Sequence, residues 1–119
     1  MAKPVEAAAL IDVFAGAITD IVRSDTRDLS ARQLAVFLRC YLVDGDHTVR
    51  GLAERLNVSK PAITRALDRL GDMDLARRKV DPKDRRSVLV QRTLRGTAYL
   101  REIKTMLADA SKGVNKKAA

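Results

Sequence analysis

Between Thr48 and Ser87 the chain holds two short amphipathic patterns separated by a turn. A hairpin signal follows at once, with the tip Asp81-Pro82-Lys83-Asp84-Arg85-Arg86-Ser87. Two physical demands follow from that order. Each helix must bury one face against a shared core, and the hairpin must carry its cations outward, into solvent or onto a polyanion. Thr48 is placed to cap a helix containing Leu52, Ala53 and Leu56, and Asn57-Val58-Ser59 reads as a turn. Ser59 then caps a second helix that tolerates Pro61 in its first turn, where a missing N–H has no intrahelical acceptor to lose. At 100° per residue, Ala62, Ile63, Ala66, Leu67 and Leu70 share one side, and Lys60, Pro61, Thr64, Arg65, Asp68 and Arg69 share the other. The first arc is a core seam and the second a polar, mostly basic face. Leu75 to Val80 reads as a strand, Pro82 at the second turn position reverses it, and Ser87 to Gln91 returns as its partner.

Helical patterns flank this module on both sides. Residues 4 to 22 place Leu10, Ile11, Phe14, Ile18, Ile21 and Val22 at spacings of three and four, with only a narrow polar stripe. A helix so apolar has more face than a small domain can cover, which points to a partner subunit. Ser30 with Gln33 three residues later forms a capping box for a helix from about Ala31 to Val43, whose inward stripe is Leu34, Phe37, Leu38 and Tyr41. Asp44-Gly45-Asp46 ends it, and His47 leads on as a loop residue. Thr93 caps a last helix of about 18 residues, with Leu94, Ala98, Tyr99, Ile103, Met106, Leu107 and Ala110 at helical spacing, before Gly113 and a fraying Lys-rich tail.

Length and charge narrow the function. A chain of 119 residues is one domain's worth, too short for a catalytic domain with an appended reader. Aromatics make up only 3%, so the core is built from Leu, Val, Ile and Ala. The net charge of +8 is unevenly placed: residues 1 to 49 sum to −2, residues 50 to 104 to +8, and residues 105 to 119 to +2. Basic charge concentrated in the middle points to a polyanion, with nucleic acid ahead of an anionic membrane. No apolar run approaches a membrane span and Met1-Ala2-Lys3-Pro4 lacks a secretory pattern, so the chain reads as soluble and cytoplasmic. Cys40 is the single cysteine and His47 the single histidine, too few soft ligands for a zinc site. No acid, base and nucleophile set is brought together by spacing, so neither an enzyme nor a cofactor is expected.

The motifs Leu29-Ser30-Ala31-Arg32-Gln33-Leu34 and Leu52-Ala53-Glu54-Arg55-Leu56-Asn57-Val58-Ser59, the Thr64 to Leu70 helix and the Asp81 to Ser87 hairpin together resemble the MarR family of winged-helix transcriptional regulators. The likeness spans roughly residues 29 to 100, and the Asp-Pro-x-Asp-Arg-Arg-Ser hairpin is its most specific part. The expected fold is mainly α with a small β-hairpin (α+β), a winged helix-turn-helix with flanking N- and C-terminal dimerisation helices. One domain is expected: residues 4 to 28 and 93 to 112 for dimerisation, residues 29 to 92 for the winged helix-turn-helix, and residues 113 to 119 as tail. The resemblance implies a homodimer on a palindromic stretch of double-stranded DNA, with Ser59 to Leu70 in the major groove and a wing arginine in the minor groove. The residues it assigns are Ser59, Lys60, Pro61, Thr64, Arg65 and Arg69 on the helix. On the wing they are Lys83, Asp84, Arg85 and Arg86, with Asp84 as the carboxylate that orients the arginine. Leu10, Phe14, Ile18, Ile103 and Leu107 are the dimerisation residues it points to. A guanidinium suits both guanine edges and the deep negative potential of a narrow minor groove.

Three positions depart from the family's pattern. Asp74 stands where a glycine usually precedes the first wing strand, Arg92 where a leucine usually precedes the threonine of the last helix, and the last helix is short. Asp68, on the reading face, is expected to pair with a neighbouring arginine, for instance Arg65 or Arg69, because a bare carboxylate there would repel phosphate. Cys40 lies mid-helix beside Phe37 and Tyr41 and reads as a core thiol rather than the sensing cysteine of the family's peroxide-responsive branch. Many relatives accept a small aromatic effector, for which this aromatic-poor chain shows no obvious pocket. Two other readings use the same surface: a sequence-indifferent architectural DNA protein, or a winged helix that contacts proteins and antagonises a longer regulator.

Overall fold

A computed structural model describes residues 6–24 and 28–118, with side chains to residue 113. The expected helix start at residues 4 and 5 lies outside the described residues. The element order is α1 (Ala7–Arg23), α2 (Ala31–Leu42), β1 (His47–Thr48), α3 (Val49–Leu56), α4 (Lys60–Asp72), β2 (Ala76–Asp81), β3 (Asp84–Arg92) and α5 (Leu94–Ala118). The chain divides into two compact units, Leu29–Leu100 and a second made of Met1–Asp28 with Arg101–Ala119.

The larger unit is the winged helix-turn-helix. Its first helix, α2, starts with the expected capping box: the Gln33 N–H donates to Ser30 Oγ at 3.2 Å, and the Ser30 N–H donates to Gln33 Oε1 at 2.9 Å. The buried stripe is Val36, Phe37, Cys40 and Tyr41, so Leu34 and Leu38 are only half-buried and the inward face is turned from the one expected. Aromatic stacking explains the rotation. Phe37 packs on Tyr41 with ring centroids 4.4 Å apart and meets the edge of Tyr99 at 5.2 Å, which gathers three of the chain's four aromatic rings in one core.

Thr48 caps α3 by accepting the Gly51 N–H at 2.9 Å, and Asn57 ends it in the left-handed conformation at φ 54°, a role that asparagine fills better than most residues. His47 is not a plain loop residue. With Thr48 it forms β1, paired to Val90 and Leu89, so the expected hairpin is a three-stranded antiparallel sheet in the order β1-β3-β2. Two residues are too short a run for any periodicity to reveal.

Between α4, the sheet and α5 the chain is tied by a buried polar knot. Tyr41 Oη donates to the Leu75 carbonyl at 2.7 Å and accepts the Thr93 N–H at 2.9 Å. Thr93 Oγ1 donates to the Asp74 carbonyl at 2.6 Å and, as the cap of α5, accepts the Gly96 N–H at 2.9 Å. Asp74 itself sits at φ 55°, the left-handed region for which the family's glycine is suited. Its side chain holds Arg77 at 3.2 Å across the exit from α4.

Arg92, the second departure, closes the other end of α2. Its Nε donates to the Cys40 carbonyl at 2.9 Å and its Nη2 to the Val43 carbonyl at 3.3 Å, with Asp44 3.7 Å away and the Tyr41 ring centroid 5.7 Å from the guanidinium carbon. A cation on the last carbonyls of a helix satisfies acceptors that have no intrahelical donor and complements the helix dipole. Restoring the family's residue with Arg92→Leu is expected to lower unfolding free energy by about 1 kcal/mol, since solvent screens half of the guanidinium. A urea titration checks this, and an unchanged midpoint would show that the bracket contributes nothing.

Cys40 is buried in this core, and burial pushes its thiol up to about 11 against the opposing pull of Arg92 and Arg39. The neutral thiol is the packed form, so the stability it contributes is fully present below about pH 8.5 and is lost as pH rises toward 11.

The smaller unit pairs α1 with the later part of α5. A Cβ on Gly16 would lie 3.0 Å from the Ala110 Cβ, so the glycine lets the helices approach closely. The last helix is longer than the expected 18 residues: α5 has 25, because Gly113 is followed by no second breaker and one glycine costs only about 1 kcal/mol in a helix. On α1, Leu10, Ile11, Phe14 and Val22 are each more than half exposed.

Candidate nucleic-acid interface

The side chains of α4 fall where the helical period puts them. Ala62, Ile63, Ala66, Leu67 and Leu70 are buried, while Lys60, Pro61, Thr64, Arg65, Asp68 and Arg69 are exposed. Ser59 starts the helix by accepting the Ala62 N–H on its Oγ at 3.2 Å. Asp68 pairs with neither Arg65 nor Arg69. Its Oδ1 accepts from Arg78 Nη2 of β2 at 2.6 Å, a contact across ten residues of sequence that ties α4 to β2. The pair leaves the cationic groups of Arg65 and Arg69 unspent on Asp68 and cancels a carboxylate that would oppose phosphate.

At the wing, β2 and β3 pair from Ala76↔Arg92 to Asp81↔Asp84, with an irregularity between Val80 and Asp81 just before the tip. Asp81 Oδ1 accepts the Lys83 N–H at 2.9 Å, fixing the turn by a side-chain-to-backbone bond. Asp84 Oδ1 accepts the backbone N–H of Arg86 at 3.1 Å, a bond to the main chain rather than to a guanidinium. Lys83, Asp84, Arg85 and Arg86 are all exposed.

Helix α4 and the wing meet at a cleft of about 390 Å³, lined by Thr48 and Arg50 from the start of α3, Lys60 and Thr64 from α4, and Asp84 and Arg86 from β3. Of the two wing arginines, Arg86 lines the cleft and Arg85 does not. Two side chains here lie outside the residues the sequence singles out. Arg50 lines the cleft, and the apolar positions of α3 do not reveal it, although a cation two residues after the Thr48 cap is a readable signal. Arg78 was hidden because only the folded sheet brings it to Asp68. Of the residues assigned to dimerisation, Leu10 and Phe14 are 51% and 55% exposed and Ile18 is half-buried, whereas Leu107 is 38% exposed and Ile103 only 6%. Ile103 therefore packs within its own chain and offers little surface to a partner. Among the described residues no group of three or more His, Cys, Asp or Glu is placed to hold a metal ion, and no helix is long and apolar enough to cross a membrane.

The MarR family model matches residues 29–88, from the α2 cap through the wing. The chain belongs to the MarR family. Solved structures agree on the fold of this MarR-family chain. It is similar to RV1404 from Mycobacterium tuberculosis, at 22% identity and a TM-score of 0.74 over 94% of this chain and 73% of that one. It is also similar to the transcriptional regulator Tm0710 from Thermotoga maritima, at 20% identity and 0.69 over 93% and 72%. A third similar structure is the transcriptional repressor CouR bound to a 23-mer DNA duplex, at 24% identity and 0.69 over 89% and 72%. A search of curated proteins gives no match. In this MarR-family chain, Asp74 shapes the exit from α4 and Arg92 closes the end of α2.

Proposed function

We propose that this chain is a sequence-specific DNA-binding transcriptional regulator that represses by occupying a palindromic operator as a homodimer. The observation that carries the reading is the placement of the exposed face of α4 beside Arg86 on a single cleft, with Asp68 already neutralised by Arg78. The exposed row Lys60, Thr64 and Arg65 enters the major groove, and the wing follows the adjoining backbone. Lys and Arg contacts to phosphate give position and affinity. Thr64 and Arg65 at base edges give discrimination, each good bidentate contact being worth about 1–3 kcal/mol. The DNA-bound repressor CouR supports this use of the fold. The exposed Leu10, Ile11 and Phe14 support a second copy as the partner of α1, because a contiguous apolar face of this kind is costly in water. Bound across a promoter, such a dimer blocks it by occupancy alone and needs no chemistry.

Gel-shift titrations of two variants test the site. Arg65→Ala is expected to narrow the ratio between selected and random duplex, whereas Arg86→Ala is expected to weaken binding to both. If both variants bind like the parent chain, the assignment of reading helix and wing is wrong.

A further inference from the structure

The cleft between α3, α4 and β3 gathers cations from three separate elements: Arg50 two residues into α3, Lys60 at the start of α4, and Arg86 on the returning wing strand. Hydroxyls of Thr48, Thr64 and Ser87 share the lining. One carboxylate, Asp84, reaches the same cleft, and its Oδ1 accepts the backbone N–H of Arg86. Thr48 is likewise occupied in capping α3. The surplus in the lining is therefore cationic, which suits an anion reached by several elements at once. The turn that aligns Arg50 with Lys60 is fixed by Asn57 in its left-handed conformation, and β1 pins the start of α3 against β3.

We infer that this cleft seats one phosphate of the DNA backbone, clamped jointly by Arg50 and Lys60, with Arg50 a phosphate-binding residue in its own right. The inference rests on the DNA-binding reading above and adds to it a single seat shared by α3 and α4. A joint clamp has a consequence that independent contacts lack. Salt dependence counts phosphates neutralised, at about 0.9 in the slope of log K against log salt for each. With two cations on one phosphate, either can largely neutralise it alone.

Fluorescence anisotropy with a random-sequence duplex, over about 50 to 200 mM salt, tests this on the full chain. The set is Arg50→Ala, Lys60→Ala, the double variant and Arg50→Lys. All change exposed side chains, and thermal melts confirm that each variant is folded. Each alanine variant is expected to bind several-fold more weakly, with the slope falling by well under 0.9. The double variant is expected to lose about 0.9 in slope and on the order of tenfold in affinity at the lowest salt. Arg50→Lys should restore binding to near the parent level. Slope losses of about 0.9 for each single variant and about 1.8 together would show two separate phosphates and overturn the shared seat. An Arg50→Ala variant with parental affinity and slope would remove Arg50 from the interface. Failure of the parent chain itself to bind duplex would instead overturn the DNA-binding reading and this inference with it.

Discussion

Gly96→Ala is expected to unfold this protein or leave it barely stable. A Cβ at position 96 would be driven into the Tyr41 hydroxyl and would approach the Leu75 carbonyl oxygen to 2.5 Å. Neither neighbour can yield cheaply. The Leu75 carbonyl is backbone, and Tyr41 Oη is held between that carbonyl and the Thr93 N–H while its ring is stacked on Phe37. Displacing Tyr41 leaves buried polar groups unpaired, at about 1–3 kcal/mol each. The forced repacking adds about 1–3 kcal/mol. For the Leu75 carbonyl and the Thr93 N–H together with the repacking, the sum is roughly 3–9 kcal/mol, a large share of a small domain's stability. Gly113, also within α5, has nothing within 4 Å of its ideal Cβ, so Gly113→Ala is expected to stabilise slightly, by about 0.5–1 kcal/mol. Urea titrations of the two variants side by side check the contrast. Equal, small effects would mean that the Tyr41 knot is not tight.

The second large effect concerns α1. Phe14 is the aromatic left out of the core, 55% exposed beside Leu10 at 51% and Ile11 at 59%. Phe14→Glu places a charge in the middle of that stripe and is expected to leave the chain folded but monomeric by sedimentation at concentrations where the proposed dimer of the parent forms. Operator affinity is expected to fall on the order of 100-fold, because the two reading helices lose the effective concentration that linkage gives them. A variant that stays dimeric would move the subunit interface away from this face.

How legible these features are in the sequence depends on their range. The two arcs of α4 follow from a 3.6-residue period, and the capping residues Ser30, Thr48, Ser59 and Thr93 act within three residues, so both are readable without a fold. The wing is equally local, since Asp81 and Pro82 set its turn. What escapes is whatever depends on tertiary placement. Asp68 finds Arg78 only because β2 folds back along α4. Arg92 reaches carbonyls about fifty residues earlier, so its role as a cap of α2 shows only in the folded chain. The Asp74 departure was visible as a residue, but its positive φ was not. The expected end of α5 at Gly113 gave a single glycine more breaking power than it has.

Selection from a random duplex library with the parent chain tests sequence-specific reading most directly. A homodimeric winged helix-turn-helix reader returns an enriched inverted repeat, with half-sites centred about 10 base pairs or one helical turn apart, or a multiple of it. A retained pool without any motif would contradict sequence-specific regulation and indicate an architectural DNA protein. Retention of no DNA at about 50 mM salt would contradict DNA binding altogether.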